Sequence, residues 1–440
     1  MQPKQRRSPL RAALMASAAL GMILPAGIAT AATNAELEAR IKQLETMLTD
    51  VKNELISQKQ ATADNTKRVE KAEQDSRSIY MGNTKVAIGG YIKADFMATR
   101  TSDGALGPGS AGRDFYIPGT IPVTGAPSEG FNTDFSGKET RLNVKTTTDL
   151  NGHKLVSFIE MDFHLSPGGN ERVSNSYNPR MRHAFVKYDN WLFGQTWSTF
   201  QDVAALAENL DFVGPAESTV FERQPMIRYS RGGFDIALEN PETTVTPFGG
   251  GARIVTDDGE MPDVIVRYTH KDDWGHVAGA AIVRQLTYDD NMGIDDTTLG
   301  WGVSLTGKIK VGKKDDIRFM AIGGEGLGRY LGLNTANGAV LDAAGNLNAI
   351  GSYAGNISYR HFWNDKWRSN LTLGAFWADN STALTGLGVT KEVQSVHVNL
   401  LYSPVPKVTL GAEYLYARRE LESTADGDMS RVQFSAKYGF

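Results

Sequence analysis

The sequence contains no cysteine. Disulfides, thiolate metal ligands and thiol nucleophiles are therefore excluded, and stability has to come from other sources. A basic excess is also missing. Lys and Arg number 46 against 50 Asp and Glu, a formal charge of −4, so there is no electrostatic bias towards nucleic acid. Mean hydropathy is −0.31, and beyond the first thirty residues no apolar run approaches the roughly 20 residues that a spanning helix needs. There is no Gly-x-Ser-x-Gly elbow, no Walker loop and no His-Glu-x-x-His motif. The seven His are scattered, and Asp257-Asp258-Gly259-Glu260 lacks the spacing of a calcium-binding EF-hand loop. The expectation is a non-enzymatic protein with no catalytic residue, no metal and no cofactor.

What is present begins with a leader. Lys4, Arg6, Arg7 and Arg11 form a basic segment, residues 12–24 are apolar, and Ala29-Thr30-Ala31 supplies a small-x-small cleavage site. This pattern predicts a secretory signal peptide over residues 1–31, with Pro25 cutting the apolar run too short for a membrane anchor. Removing those four bases from a charge of −4 leaves −8 on the exported chain.

Residues 32–80 are polar, charged and free of Gly and Pro. Leu37, Ile41, Leu44, Leu48, Val51 and Leu55 follow one another in steps of 4, 3, 4, 3 and 4, the seam of a coiled coil. The same register continues through polar residues such as Gln58, Thr62 and Asn65, which weakens the second half. So narrow a seam wants partner helices, and three chains is the preferred number. A single solvated helix on the rest of the protein is the alternative.

From residue 81 to Phe440 the period changes to two. Val432, Phe434, Ala436 and Tyr438 alternate with Arg431, Gln433, Ser435 and Lys437, and Leu299, Trp301, Val303 and Leu305 alternate with Gly300, Gly302, Ser304 and Thr306. Such strands have one apolar and one polar face, and a transmembrane strand needs only about 9–11 residues. Short turn signals, such as Asn151-Gly152 and Asn364-Asp365, alternate with long ones at 99–136, 166–179, 198–221, 241–261, 289–297, 329–348, 379–390 and 421–427. Seven short turns and eight long loops predict an all-β protein, a 16-stranded antiparallel transmembrane β-barrel with periplasmic turns and extracellular loops. Both barrel ends then face the periplasm, which places the coiled coil there. Tyr188, Trp191, Tyr229, Tyr268, Trp274, Trp363, Trp367 and Tyr402 beside the short turns suit a membrane-interface girdle. The terminal Phe440 is similar to the signal read by the outer-membrane assembly machinery, a partner expected together with outer-membrane lipid. A large soluble sandwich or solenoid is the competing fold.

Parity assigns the inward faces. Lys93, Arg141, Lys145, Arg228, Arg267, Arg284, Arg318 and Arg360 point to the lumen, together with Glu160, Asp162, His397 and Arg431. A Lys or Arg facing lipid at mid-depth costs about 2–4 kcal/mol, which agrees with that assignment. Arg182 conflicts with it, because it shares a parity with Ala184 and Val186; a boundary position or a bulge would explain this. The lumen is thus rich in guanidinium groups, which attract anions and grip carboxylates bidentately. The bland alternative is that these arginines pair with lumen acids and keep the pore wet. Residues 201–210 read as a short Ala-rich helix in the third long loop, which predicts burial in the lumen, with Glu217, Glu222 and Arg223 at a constriction. An outer helical cap is the other reading.

The entry to the barrel, Gly82-Asn83-Thr84-Lys85-Val86-Ala87-Ile88-Gly89-Gly90-Tyr91-Ile92-Lys93-Ala94-Asp95-Phe96, and the later Ile117-Pro118-Gly119-Thr120-Ile121-Pro122 resemble the DcaP-like trimeric porins of Gram-negative bacteria. With the leader, the heptads and the terminal Phe, the resemblance covers the mature chain. It implies an outer-membrane homotrimer joined by an N-terminal coiled coil, taking up small anionic solutes such as dicarboxylates by diffusion. It identifies no ligand residues. A structural tether or adhesin with a closed lumen, and a barrel enzyme with a rim triad, are the competing classes.

Overall fold

The computed structural model of the protein describes residues 34–76, 79–165 and 174–440, with the side chains of 36, 37 and 61–76 left out. The expected signal peptide, the side chain of Leu37 and most of the second long loop lie outside the described residues.

Helix α1, Asn34–Ser76, carries the heptad seam. Ile41, Leu44, Leu48, Val51 and Leu55 are all more than half exposed, so the chain by itself leaves this seam uncovered. The helix and the part from Arg77 onward are separate compact units.

The second unit is a closed antiparallel barrel of sixteen strands. They are β1 Thr84–Thr101, β2 in two segments Phe131–Ser136 and Arg141–Leu150, β3 His153–Asp162, β4 Arg180–Tyr188, β5 Trp191–Trp197, β6 Arg223–Arg231, β7 Phe234–Glu239, β8 Asp263–Asp272, β9 Gly275–Asp289, β10 Asp295–Val311, β11 Asp315–Glu325, β12 Gly351–Phe362, β13 Trp367–Asp379, β14 Thr390–Tyr402, β15 Val408–Leu421 and β16 Asp426–Gly439. Each strand pairs with its neighbour in sequence, and β16 closes the ring on β1 from Tyr91↔Gly439 to Thr101↔Met429. The period-two pattern is what makes this ring amphipathic: in β16, Phe434 and Tyr438 lie on the exposed outer face while Arg431, Gln433 and Ser435 are buried inside.

Two irregularities shape the wall near the site. Between the segments of β2 the register against β1 moves from Asp95↔Ser136 to Tyr91↔Arg141, which leaves one extra residue on β2. Gly90 absorbs the kink with φ +144°, where a Cβ would collide with the carbonyl oxygen of Arg141. On β4 the pairing steps from Glu160↔His183 to Met161↔Met181 and leaves Arg182 as the extra residue. A bulge thus turns both Arg182 and His183 inward and removes the parity conflict.

All seven short turns fall where the turn signals place them, but three of the expected long loops shrink, the first because β1 reaches Thr101 and β2 begins at Phe131. β9 and β10 run to Asp289 and from Asp295, and β15 and β16 run to Leu421 and from Asp426, so that residues 290–294 and 422–425 are tight hairpin turns. The acidic residues read there as loop are solvated strand ends. Segments of the fourth and sixth loops pair instead into a separate four-stranded sheet, Thr243–Thr246, Ile254–Thr256, Ala339–Leu341 and Leu347–Ala349.

Candidate functional site: an arginine-lined passage beside an inward loop

The third long loop, residues 198–222, folds into the barrel. Of its expected helix over residues 201–210, only the 3-10 turn Val203–Ala205 forms. The reason is competition for its backbone. Leu210 N donates to Glu413 Oε2 at 2.6 Å, and the carbonyl oxygens of Glu208 and Leu210 accept from Asn399 Nδ2 at 2.8 Å and Lys93 Nζ at 2.7 Å. Arg267 Nη1 donates to Gln201 O at 2.7 Å, and Arg318 Nη1 to Leu206 O. A helix would use Gln201 O, Leu206 O and Leu210 N within itself; the wall claims them instead, together with the two carbonyls that a helix end leaves free.

Side-chain contacts extend the same anchoring. Asp202 accepts from Thr306 Oγ1 at 2.9 Å and lies 2.8 Å from His276 Nε2. Glu208 bridges Arg360 at 2.8 Å and Arg368 at 2.6 Å. Burial pushes the Glu208 carboxyl upward, but the two arginines outweigh it and hold it below its usual range. Ser395 Oγ donates to Glu217 Oε1 at 2.6 Å, and Asn356 Nδ2 to Ser218 O at 3.0 Å. Two wall glycines make room. A Cβ on Gly374 would run into Glu217 and stand 2.9 Å from Pro215 Cβ, and one on Gly411 would stand 2.9 Å from Leu210 Cδ2. The loop is therefore seated on β8 to β16 and β1. An apolar cluster inside the barrel, with Phe115, Phe200, Val213, Leu327 and Tyr330, completes the seat.

This anchoring places most of the residues named from parity. Lys93, Arg228, Arg267, Arg284, Arg318 and Arg360 all face inward, and each is engaged by the wall or by a loop, although Arg284 Nε, 3.4 Å from Asp263 Oδ1, has no hydrogen-bond partner. Lys93 binds Glu139 besides Leu210. Arg228 reaches Trp197 O at 3.4 Å, and Arg267 and Arg360 hold Asp235 and Asp316. Arg284 is 2% exposed and donates to the carbonyls of Gly326 and Leu327, so loops enclose it; it does not border an open passage. Glu217 is fully buried against the wall and is no constriction group. Glu222 is partly exposed where the loop rejoins the barrel.

The other wall is different. Along β2 to β6 stand Arg141, Arg180, Arg182 and Arg223, facing the loop rings Phe212 and Phe221 and the ring of Trp197. Arg141, Arg180 and Arg182 lie 5.4–5.8 Å from the Phe212 centroid, and Arg223 lies 4.4 Å from that of Trp197. Their described carboxylate partners are Glu160 and Asp162. Arg182 bonds both, at 2.8 and 2.7 Å, Arg180 bonds Asp162 at 2.7 Å, and Arg141 is 3.9 Å from Glu160. Arg223 has no carboxylate partner among the described residues. Four cations thus face two anions. Buried N–H groups are left without an acceptor at Arg141 Nε, Arg182 Nη2 and Arg223 Nη1. Such donors, away from bulk water, favour an incoming carboxylate or similar anion. Lys145 stands on the same wall nearer the short turns, where it is exposed to the lumen. Sequence parity found Arg141 and Lys145 but passed over Arg180, and it could not place Arg182 across an uncounted bulge.

Solved structures similar to this chain are barrels of the same kind. The channel DcaP of Acinetobacter baumannii is 23% identical, with a TM-score of 0.67 over 81% of this chain and 98% of that one. OmpT of Vibrio cholerae, at 12% identity, gives 0.48 over 82% of this chain and 100% of its own. The anion-selective porin of Comamonas acidovorans, at 10% identity, also gives 0.48, over 81% and 100%. No curated protein matches the chain. The family described as DcaP outer membrane protein matches residues 26–440. A closed barrel with an inward third loop, matched by that family over nearly its whole length, makes this chain a member of the DcaP outer membrane protein family.

Proposed function

We propose that the protein is an outer-membrane porin of a Gram-negative bacterium that passes small anionic solutes, dicarboxylates among them, by passive diffusion. The observation that carries this reading is the wall of the partly exposed Arg141, Arg180 and Arg223 backed by the fully buried Arg182, four guanidinium groups against Glu160 and Asp162, with buried donors left over. Fixed positive charge in a narrow, poorly solvated passage raises the local concentration of anions and slows cations. Two ends of a dicarboxylate can be gripped in turn by planar forks set on the alternate strands β2, β4 and β6.

The oligomer belongs to the same proposal. The exposed seam Ile41, Leu44, Leu48, Val51 and Leu55 on α1 is a surface of the kind that parallel helices cover, and the assembly proposed is an outer-membrane homotrimer whose coiled coil stands in the periplasm. Phe440, which follows the closing strand and donates its N–H to Gly90 O, fits a contact with the outer-membrane assembly machinery.

Reversal potentials in planar bilayers under a potassium chloride gradient test the function. Anion preference is the expected result, and cation preference in the wild-type pore overturns the reading. One observation favours a second reading, a tether with a closed lumen: loops one, three and six contribute buried side chains to a core inside the barrel. Absence of conductance in reconstituted protein would decide for it.

A further inference from the structure

Below the arginine wall, towards the short turns, lies a cavity of about 570 Å³ that the anchoring of loop three leaves open. Its floor is apolar. Phe158 and Phe185 are register partners on β3 and β4, with ring centroids 5.7 Å apart, and Trp197 borders the same space. Three lysines surround that floor. Lys145 is the register partner of Phe158 on β2, Lys187 pairs with Val156, and Lys154 is the next inward residue below Val156. All three are exposed to the lumen, and among the described residues none has a carboxylate within ion-pair distance. The nearby Asp189 is engaged by His153 at 2.7 Å.

This chemistry differs from that of the arginine wall. Ammonium groups are point charges on flexible stems, without the planar fork that selects a carboxylate. Strands lie about 4.8 Å apart, so Lys145 on β2 stands beside Phe158, and Lys187 stands two residues along β4 from Phe185, nearer the short turns. Bare cations around a tilted pair of phenyl rings suit an anion whose charge sits on a flat apolar body, because the body covers the rings while the head meets the lysines.

We propose that this cavity is a second binding station, on the periplasmic side of loop three, for organic anions with a flat apolar body, aryl sulfonates being the clearest chemical type. It rests on the lumen being water-filled, but not on the pore preferring anions. A solute leaving the arginine wall is held there before release, and a solute entering from the periplasm meets the lysines first.

The experiment uses the full-length protein in planar bilayers, with benzenesulfonate or methanesulfonate added to one side at a time. Benzenesulfonate should block current with longer dwell times than methanesulfonate, and more often from the periplasmic side. K154Q/K187Q should weaken benzenesulfonate block by about fivefold, the size expected for two partly exposed charge contacts. F158A should shorten the benzenesulfonate dwell and leave the dwell ratio of the two sulfonates near one. Equal block by both sulfonates in the wild type, or undiminished block in K154Q/K187Q, overturns the station. The reversal potential recorded in the same bilayer keeps the two claims apart. Cation preference with side-dependent benzenesulfonate block sinks the anion pore and leaves the station standing, while anion preference with no such block does the reverse.

Discussion

Arg182 Nη1 stands 2.7 Å from Asp162 Oδ2, and neither side chain has any exposed surface. The bulge on β4 is what brings them together, since the regular register would have sent Arg182 to lipid. Removing one member of a buried pair leaves an uncompensated charge, a loss of about 3–5 kcal/mol. Asp162→Ala should therefore lower the thermal unfolding temperature of the detergent-solubilised barrel. It should also strengthen anion preference, because Arg180 and Arg182 lose their shared counter-ion. A variant with wild-type unfolding and selectivity would remove this pair from the account.

Arg223 and Arg318 should separate in their effects. Arg223 has a buried Nη1 without a partner and no described carboxylate, whereas Arg318 is spent on Asp316 and on Leu206 of loop three. Arg223→Ala should shift the reversal potential towards cations. Arg318→Ala should leave that potential nearly unchanged and make the open current noisier, since it loosens an anchor. Equal shifts in the two variants would contradict the division of the lumen into a held side and a free side.

Burial raises the Glu217 carboxyl above the usual carboxylate range. The folded protein then binds this proton more readily than the unfolded chain, so the contribution of the group to stability is present in acid and is lost as pH rises through the raised value. Thermal unfolding followed from pH 4 to 8 should show stability falling through this group, and Glu217→Gln should flatten that part of the profile. A variant with the same slope as the wild type would show that the carboxyl does not titrate on folding.

Gly374→Ala tests the seat of loop three. A Cβ there collides with Glu217 and crowds Pro215 and Ser218, so the turn Ala216–Ser218 has to move off β13. Overpacking of this kind costs about 1–3 kcal/mol. The expected results are a changed single-channel conductance and faster proteolysis within residues 198–222; unchanged conductance would mean that the loop does not shape the passage.

Leu48→Asn on α1 should lower the oligomer mass in sedimentation experiments and leave strand content by circular dichroism intact. Its side chain is 70% exposed in the single chain, so any loss has to come from a contact between chains. An unaltered mass would remove the heptad seam from the assembly proposal.

The barrel was legible because the same two-residue period is repeated sixteen times with turn signals between, and each repeat votes for the same closure. The acids at Asp289, Asp295 and Asp296 misled only because they were read as loop, when a strand that has left the membrane can carry them in water. Parity counts residues, and so it fails at Arg182, where one residue is inserted. Loop three was legible as buried from its alanines but not as non-helical. The groups that unwind it, Lys93, Arg318, Asn399 and Glu413, lie more than a hundred positions away along the chain. Gly374 and Gly411 gave no signal at all, because a glycine on the polar face of a strand looks like any other small residue until its tenant is seen.

The spread of the loop's moorings has a mechanical meaning. Each hydrogen bond between loop and wall is worth about 0.5–1.5 kcal/mol net, somewhat more where an arginine or carboxylate takes part. Thermal agitation undoes one such bond easily, but lifting the whole loop requires many to fail together, on the scale of the stability of an entire domain. The aperture therefore has a trembling rim and no door. For the porin proposed above, this means an opening of nearly constant width, with discrimination between solutes left to standing charge and shape along the free wall instead of to any opening event.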